Sequence, residues 1–206
     1  YFVLANFDDK PRKAQKKLKK CLNLLPSNSA AVCETEDNTI DFQRLNSAII
    51  SYLNDDVRGE RISLVDDFYV PSEHFVNFLT ELKVLEQTYD MELHVFGSYA
   101  TSNYSIRPDV QLNTVEGRQF CLRFLKDFHS LLKEYGGSLT GGAPEGRVKG
   151  VLAINDFSDE ELKLYQSIKE IFDKKNILNP DSKLGVSTST LLRNLRTEAN
   201  SSISVE

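Results

Sequence analysis

An α+β fold, with an antiparallel sheet covered by helices on one face, is what this sequence predicts. Three observations predict it. Strand and helix patterns alternate along the 206 residues. No glycine fingerprint of a dinucleotide-binding parallel sheet opens any helix. The element lengths suit duplicated ferredoxin-like units, although no sequence repeat marks a duplication. Composition is that of a globular domain, 40% hydrophobic and 27% charged, with length for one sizeable core or two small subdomains sharing a sheet.

The elements follow in order. Residues 1–7 form a mostly apolar strand stopped by Asp8-Asp9, and Pro11 suits the first turn of a helix. Ala14, Leu18, Cys21, Leu22 and Leu25 give that helix one apolar stripe, and the lysine-rich run 16–20 is its solvated face. A second strand is expected at 30–34, a turn at 36–38, and a helix at 41–53 with Phe42, Leu45, Ile49 and Leu53 on one side. After a charged loop, 62–70 reads as a strand closed by Pro71, and Ser72 as the N-cap of a helix running to Tyr89. A strand at 91–97 leads into a polar loop at 98–105 and a short strand at 106–112. Thr114 caps a long helix that ends at Gly136-Gly137, and Ser158 caps another over 159–175. Residues 1–185 are expected to form the domain, and 186–206 a flexible tail or a short docking helix using Leu191, Leu192 and Leu195.

Several function classes fall away. A net charge of −5 leaves no broad basic field for nucleic acid. No apolar run approaches the roughly 18–20 residues that span a bilayer. Cys21, Cys33 and Cys121 are scattered, without a CxxC pair, and read as free thiols in a reducing compartment. The absence of a secretory signal fits a cytoplasmic protein, free or peripheral to a membrane. A strand-like start at Tyr1 without methionine suggests a piece of a longer protein.

The most informative stretch is 136–150, with five glycines between Gly136 and Gly146. Glycine at that density marks backbone that bends unusually or closely approaches another group. It is not a phosphate loop, because Arg147-Val148 stands where Lys and Ser/Thr are needed. Arg107, Arg147 and Lys149 lie in or beside the loops and are candidates to hold a carboxylate, with exposed charge or ion pairing as the alternative. Tyr99, Tyr104 and Asn103 are further candidates for a ligand. Glu145 and His94 are the candidate acid/base groups, although a packed place on the sheet suits His94 better.

Four segments resemble the C-terminal domain of FAD-linked oxidases, the group that includes D-lactate dehydrogenases and the glycolate oxidase large subunit. They are Asp66-Asp67-Phe68-Tyr69-Val70-Pro71-Ser72, Val95-Phe96-Gly97 with the loop after it, the glycine loop, and the ending that contains Lys169, Asp173, Ile177-Leu178-Asn179-Pro180 and Lys183. The resemblance implies a substrate-binding cap domain, with FAD held mainly by a separate N-terminal domain and a 2-hydroxy acid or related alcohol as substrate. It implies that Gly141, Gly142, Gly146 and Asn179 border the cofactor, and it favours Arg147 for substrate. The departures are chemical. Where the family has two metal-binding histidines this chain has Ser98 and Ser105, and where it has Glu-His it has Gly142-Ala143. Hydroxyls, glycine and alanine are poor or impossible ligands for a divalent transition metal, so no metal is expected. A catalytically degenerate module that binds a small molecule or a protein remains the rival.

Overall fold

A computed structural model describes residues 5, 7, 9–27, 44, 47–48, 64–108, 110 and 112–194. Two compact units are distinguished, 1–55 and 56–206. In the first, α1 (Pro11–Leu24) has proline in its first turn. Ala14, Leu18 and Cys21 of its apolar stripe are half-buried and its lysines are exposed; Lys17 Nζ reaches Asp9 at 2.5 Å. Most of the strand expected at 1–7, all of that expected at 30–34, Cys33, and most of the helix expected at 41–53 lie outside the described residues.

The second unit carries β1 (Val65–Tyr69), α2 (Phe75–Thr88), β2 (Leu93–Ser98), β3 (Asn103–Pro108) and α3 (Val115–Glu134). The three strands form an antiparallel sheet of order β1-β3-β2. After α3 the chain returns to the open edge of β1, where Tyr69 and Ser138 exchange backbone hydrogen bonds of 2.8 and 3.0 Å. The order β-α-β-β-α therefore closes in a bridge on the edge where the last strand of a β-α-β-β-α-β unit would lie.

In β3, Tyr104, Ile106 and Pro108 are buried while Asn103, Ser105 and Arg107 are half-buried. That alternation is the two-residue period of a strand with one packed face. Against this face α2 brings Phe78 and Leu82, and α3 brings Cys121, Phe124, Leu125, Phe128 and Leu132. Phe68 is the hub, with ring centroids 5.2 Å from Phe128, 5.8 Å from Phe78 and 5.9 Å from Tyr104. Burial pushes the Cys121 thiol up to about 12, so it stays protonated and acts as a small apolar side chain.

Local signals differ in how well they place element ends. Thr114 accepts a hydrogen bond from Gly117 N–H at 3.0 Å and caps α3 as expected. Tyr135 ends that helix, and Gly136 follows with φ +67°, a conformation that costs glycine little. A short helix α4 (Gly150–Ala153) and a 3-10 turn (Ile154–Asp156) precede α5 (Asp159–Phe172), which starts in a reciprocal capping box between Ser158 and Glu161. α5 stops short of the expected Lys175. Asp173 turns its buried carboxylate onto Ile177 N–H and Leu178 N–H, both at 2.9 Å, and onto Lys169 Nζ at 2.5 Å. The Lys169 hydrogen bond leads the contacts that hold this carboxyl below its usual range, against the opposing effect of burial. The last described element is α6 (Thr188–Asn194), which buries Leu191.

Two expectations are corrected. Ser72 does not cap α2: its hydroxyl lies 2.8 Å from Ser102 Oγ and 3.2 Å from Tyr99 O, and the helix begins only at Phe75. Half of the loop expected at 98–105 is strand. β2 and β3 form a hairpin whose turn is confined to 99–102, with Ser102 at φ +57°. Ladder pairing with β2 draws Asn103, Tyr104 and Ser105 into β3, an effect of register that local polarity does not reveal.

Candidate functional site

Residues directly opposite in an antiparallel ladder share a face. Ser98 faces Asn103, Phe96 faces Ser105 and His94 faces Arg107, all on the side of the sheet away from α2 and α3. Ser98 and Ser105 are therefore diagonal neighbours on one face. Gly97 permits this close pairing: a β-carbon there would stand 2.3 Å from Asn103 O and 2.6 Å from Tyr104 Cα.

The glycine loop folds onto the same place. Gly141 N–H donates to Asp67 O at 2.9 Å, and Ala143 N–H donates to the Asp67 carboxylate. A β-carbon on Gly142 would lie 3.4 Å from Asn103 Nδ2, and one on Gly141 would lie 2.5 Å from Asp67 Oδ1. Positions 98, 105 and 142, distant in sequence, thus gather around Asn103. Ser105 Oγ accepts from Asp67 N–H at 3.2 Å, and Ser98 Oγ from Thr101 N–H at 3.4 Å, so both hydroxyls already serve the main chain.

Other sequence candidates lie elsewhere. Tyr104 points into the core, 3% exposed, with its ring stacked 3.9 Å from Phe75; burial, with a smaller contribution from Tyr99, pushes its hydroxyl up to about 12. Tyr99 is exposed at the start of the hairpin turn and donates to Ser72 O at 3.1 Å. Arg107 lies over the Phe96 ring, 5.5 Å from its centroid. Arg147 is exposed and donates to Pro180 O at 3.3 Å, tying the glycine loop to the segment that holds Asn179, itself exposed. Gly146 joins the same tie, its carbonyl accepting from Lys183 N–H at 3.3 Å. Lys149, a candidate to hold a carboxylate, is 6% exposed and donates to Asp66 O at 2.7 Å and Asp67 O at 3.4 Å. Burial lowers its pKa, opposed by the charges of Asp67, Asp66 and Glu145.

Glu145 is buried as well, not open to a ligand. It accepts from Lys183 Nζ at 2.9 Å and from Thr140 Oγ1 at 3.3 Å. The Lys183 ammonium also sits over the Phe157 and Tyr165 rings, 4.8 and 4.6 Å from their centroids. Burial alone would raise the Glu145 carboxyl, but the Lys183 hydrogen bond, a backbone hydrogen bond, the Lys183 charge and Thr140 together hold it below its usual range. A carboxyl whose pKa is lower folded than unfolded adds stability at neutral pH, and this is lost as pH falls through the lowered value. Glu145→Gln is therefore expected to be less stable than the unsubstituted chain at pH 7, and to lose less stability between pH 7 and acid. Urea melts at a series of pH values measure both.

Asp67 is the site residue that sequence reasoning missed. Its signals are an acidic pair, Asp66-Asp67, inside an otherwise apolar strand pattern, and the place of that pair in a segment that resembles the family. Among the described residues no three His, Cys, Asp or Glu side chains gather to hold a metal ion, and no helix is long and apolar enough to cross a membrane.

The model of the family "FAD linked oxidases, C-terminal domain" matches residues 2–182, and the chain belongs to that family. It is 26% identical over 117 residues to a D-lactate dehydrogenase of Anaerostipes hadrus, covering 55% of this chain and 24% of that protein. It is 27% identical over 119 residues to a D-2-hydroxyglutarate dehydrogenase of Haemophilus influenzae, covering 58% of this chain and 12% of that protein. With the glycolate oxidase subunit GlcD of Bacillus subtilis it shares 23% over 158 residues, 74% of this chain and 32% of that protein. The chain matches a third or less of the length of each of these relatives.

Proposed function

We propose that this chain is the substrate-binding cap domain of an FAD-dependent oxidoreductase acting on a 2-hydroxy acid or a related alcohol, built of duplicated ferredoxin-like units. FAD would be held mainly by a separate domain. The observation that carries this reading is the gathering of positions 98, 105 and 142 around Asn103. Names of relatives that refer to D-lactate, D-2-hydroxyglutarate and glycolate support the substrate class.

A divalent metal does not fit this donor set, since two serine hydroxyls engaged with the main chain and a glycine offer no ligand of the needed kind. The flavin fits better. Gly142 and Asn179 are exposed on two loops tied through Arg147, and would present a wall of backbone and amide. When bound, FAD supplies the two-electron acceptor for oxidation of the alcohol. The Asn103 amide, with Arg107 farther along the same face, would orient a carboxylate. Of the two acid/base candidates, His94 shares this face, and Glu145 is buried in its pair with Lys183.

The engagement of Ser98 and Ser105 with their own main chain favours a second reading, a non-catalytic binding module. The full-length polypeptide that carries this chain separates the two. A yellow protein whose flavin is bleached anaerobically by D-lactate, D-2-hydroxyglutarate or glycolate is the expected result. A yellow protein that none of the three bleaches favours the module, and one that stays colourless with added FAD overturns the enzyme reading.

A further inference from the structure

Asp67 sits where β1 loses its register. The ladder slips between Val65 and Phe68, and Asp67 takes φ +59°, a conformation that aspartate tolerates better than most side chains. The distortion points the residue in three directions at once. Its N–H reaches Ser105 Oγ on β3, its carbonyl accepts from Gly141 N–H and from buried Lys149, and its carboxylate accepts from Ala143 N–H. Gly141 packs so closely that no side chain fits between the loop and this carboxylate. Lys149 fastens the arrangement through the carbonyls of Asp66 and Asp67.

We propose that Asp67 is the positioning residue of this face: its carboxylate holds the Gly141–Ala143 backbone against the Asn103 amide and so sets the gap between the glycine loop and the sheet. Because the carboxylate takes up the Ala143 N–H, that donor is withheld from a ligand, and the wall offers the bare Gly142 backbone beside Asn103. The meaning of this gap for substrate rests on the function proposed above; the clamp itself does not, so its failure would leave the flavin result untouched.

Two substitutions separate the carboxylate from the unusual backbone conformation. Asp67→Gly keeps and eases φ +59° but deletes the clamp. Asp67→Asn keeps an acceptor oxygen of similar reach. Amide hydrogen exchange by NMR reads Ala143 against Phe124 in the core of α3. Relative to Phe124, Asp67→Gly is expected to speed exchange at Ala143 by about tenfold or more, and Asp67→Asn is expected to recover part of the protection. If the bend were the whole role of Asp67, glycine would leave Ala143 protected. Exchange at Ala143 in Asp67→Gly within about twofold of the unsubstituted chain would overturn the proposal. So would Asp67→Asn exchanging as fast as Asp67→Gly. Should the glycine variant not fold, Asp67→Ala, which also lacks the carboxylate, takes its place: faster exchange at Ala143 supports the proposal, and exchange within about twofold of the unsubstituted chain overturns it.

Discussion

Phe68→Ala is expected to lower the stability of the second unit by about 3–5 kcal/mol. The side chain is fully buried and touches aromatic partners from all three layers of its surroundings: Tyr104 on the neighbouring strand, Phe78 on α2 and Phe128 on α3. Its edge-to-face geometry with Phe128, 84° between the rings, is one that aromatic quadrupoles favour. Rigid strands and two helices bound the site, so little of the cavity can collapse, and the cost falls toward the upper end of that range. Phe120→Ala at the half-buried rim of the cluster is the comparison, with a smaller loss expected. Denaturant melts of the two variants give both values.

Gly97→Ala should follow closely, at about 3 kcal/mol, the upper part of the range for overpacking. The added methyl meets the Asn103 carbonyl at 2.3 Å and Tyr104 Cα at 2.6 Å, which are backbone atoms of the paired strand that cannot rotate away. β2 and β3 must separate at the end nearest the site, so the damage is expected to spread to Asn103 and Ser98. Gly142→Ala is the control. Its methyl would stand 3.4 Å from Asn103 Nδ2, the tip of a side chain that can give, and should change stability by less than about 1 kcal/mol. Thermal melts together with amide shifts at Asn103 distinguish local from global effects.

Features set by a few neighbouring residues were legible in the sequence. Thr114 at the head of α3 and Ser158 at the head of α5 are local signals, and the structure has both caps. The hairpin at 99–102 was not legible, because no Asn-Gly or Asp-Gly pair marks its turn and ladder register is a tertiary property. The same reason hides Asp67, whose partners Ser105 and Ala143 lie 38 and 76 residues away. Lys149 and Glu145, candidates for a ligand and for acid/base work, are both buried. Both sit in a loop whose many glycines suggest exposure, yet backbone carbonyls around one and Lys183 beside the other make burial affordable.

The proposed function requires that Ser98, Ser105 and Gly142 stand at three positions of one site, beside Asn103. Placing ligands at those positions tests it most directly. A Ser98→His, Ser105→His, Gly142→Glu variant should bind Co2+ with the visible absorption of a nitrogen- and oxygen-ligated ion, while the unsubstituted chain should show none. A folded triple variant that binds Co2+ no better than the unsubstituted chain would contradict the claim, because the three positions would then not share one site.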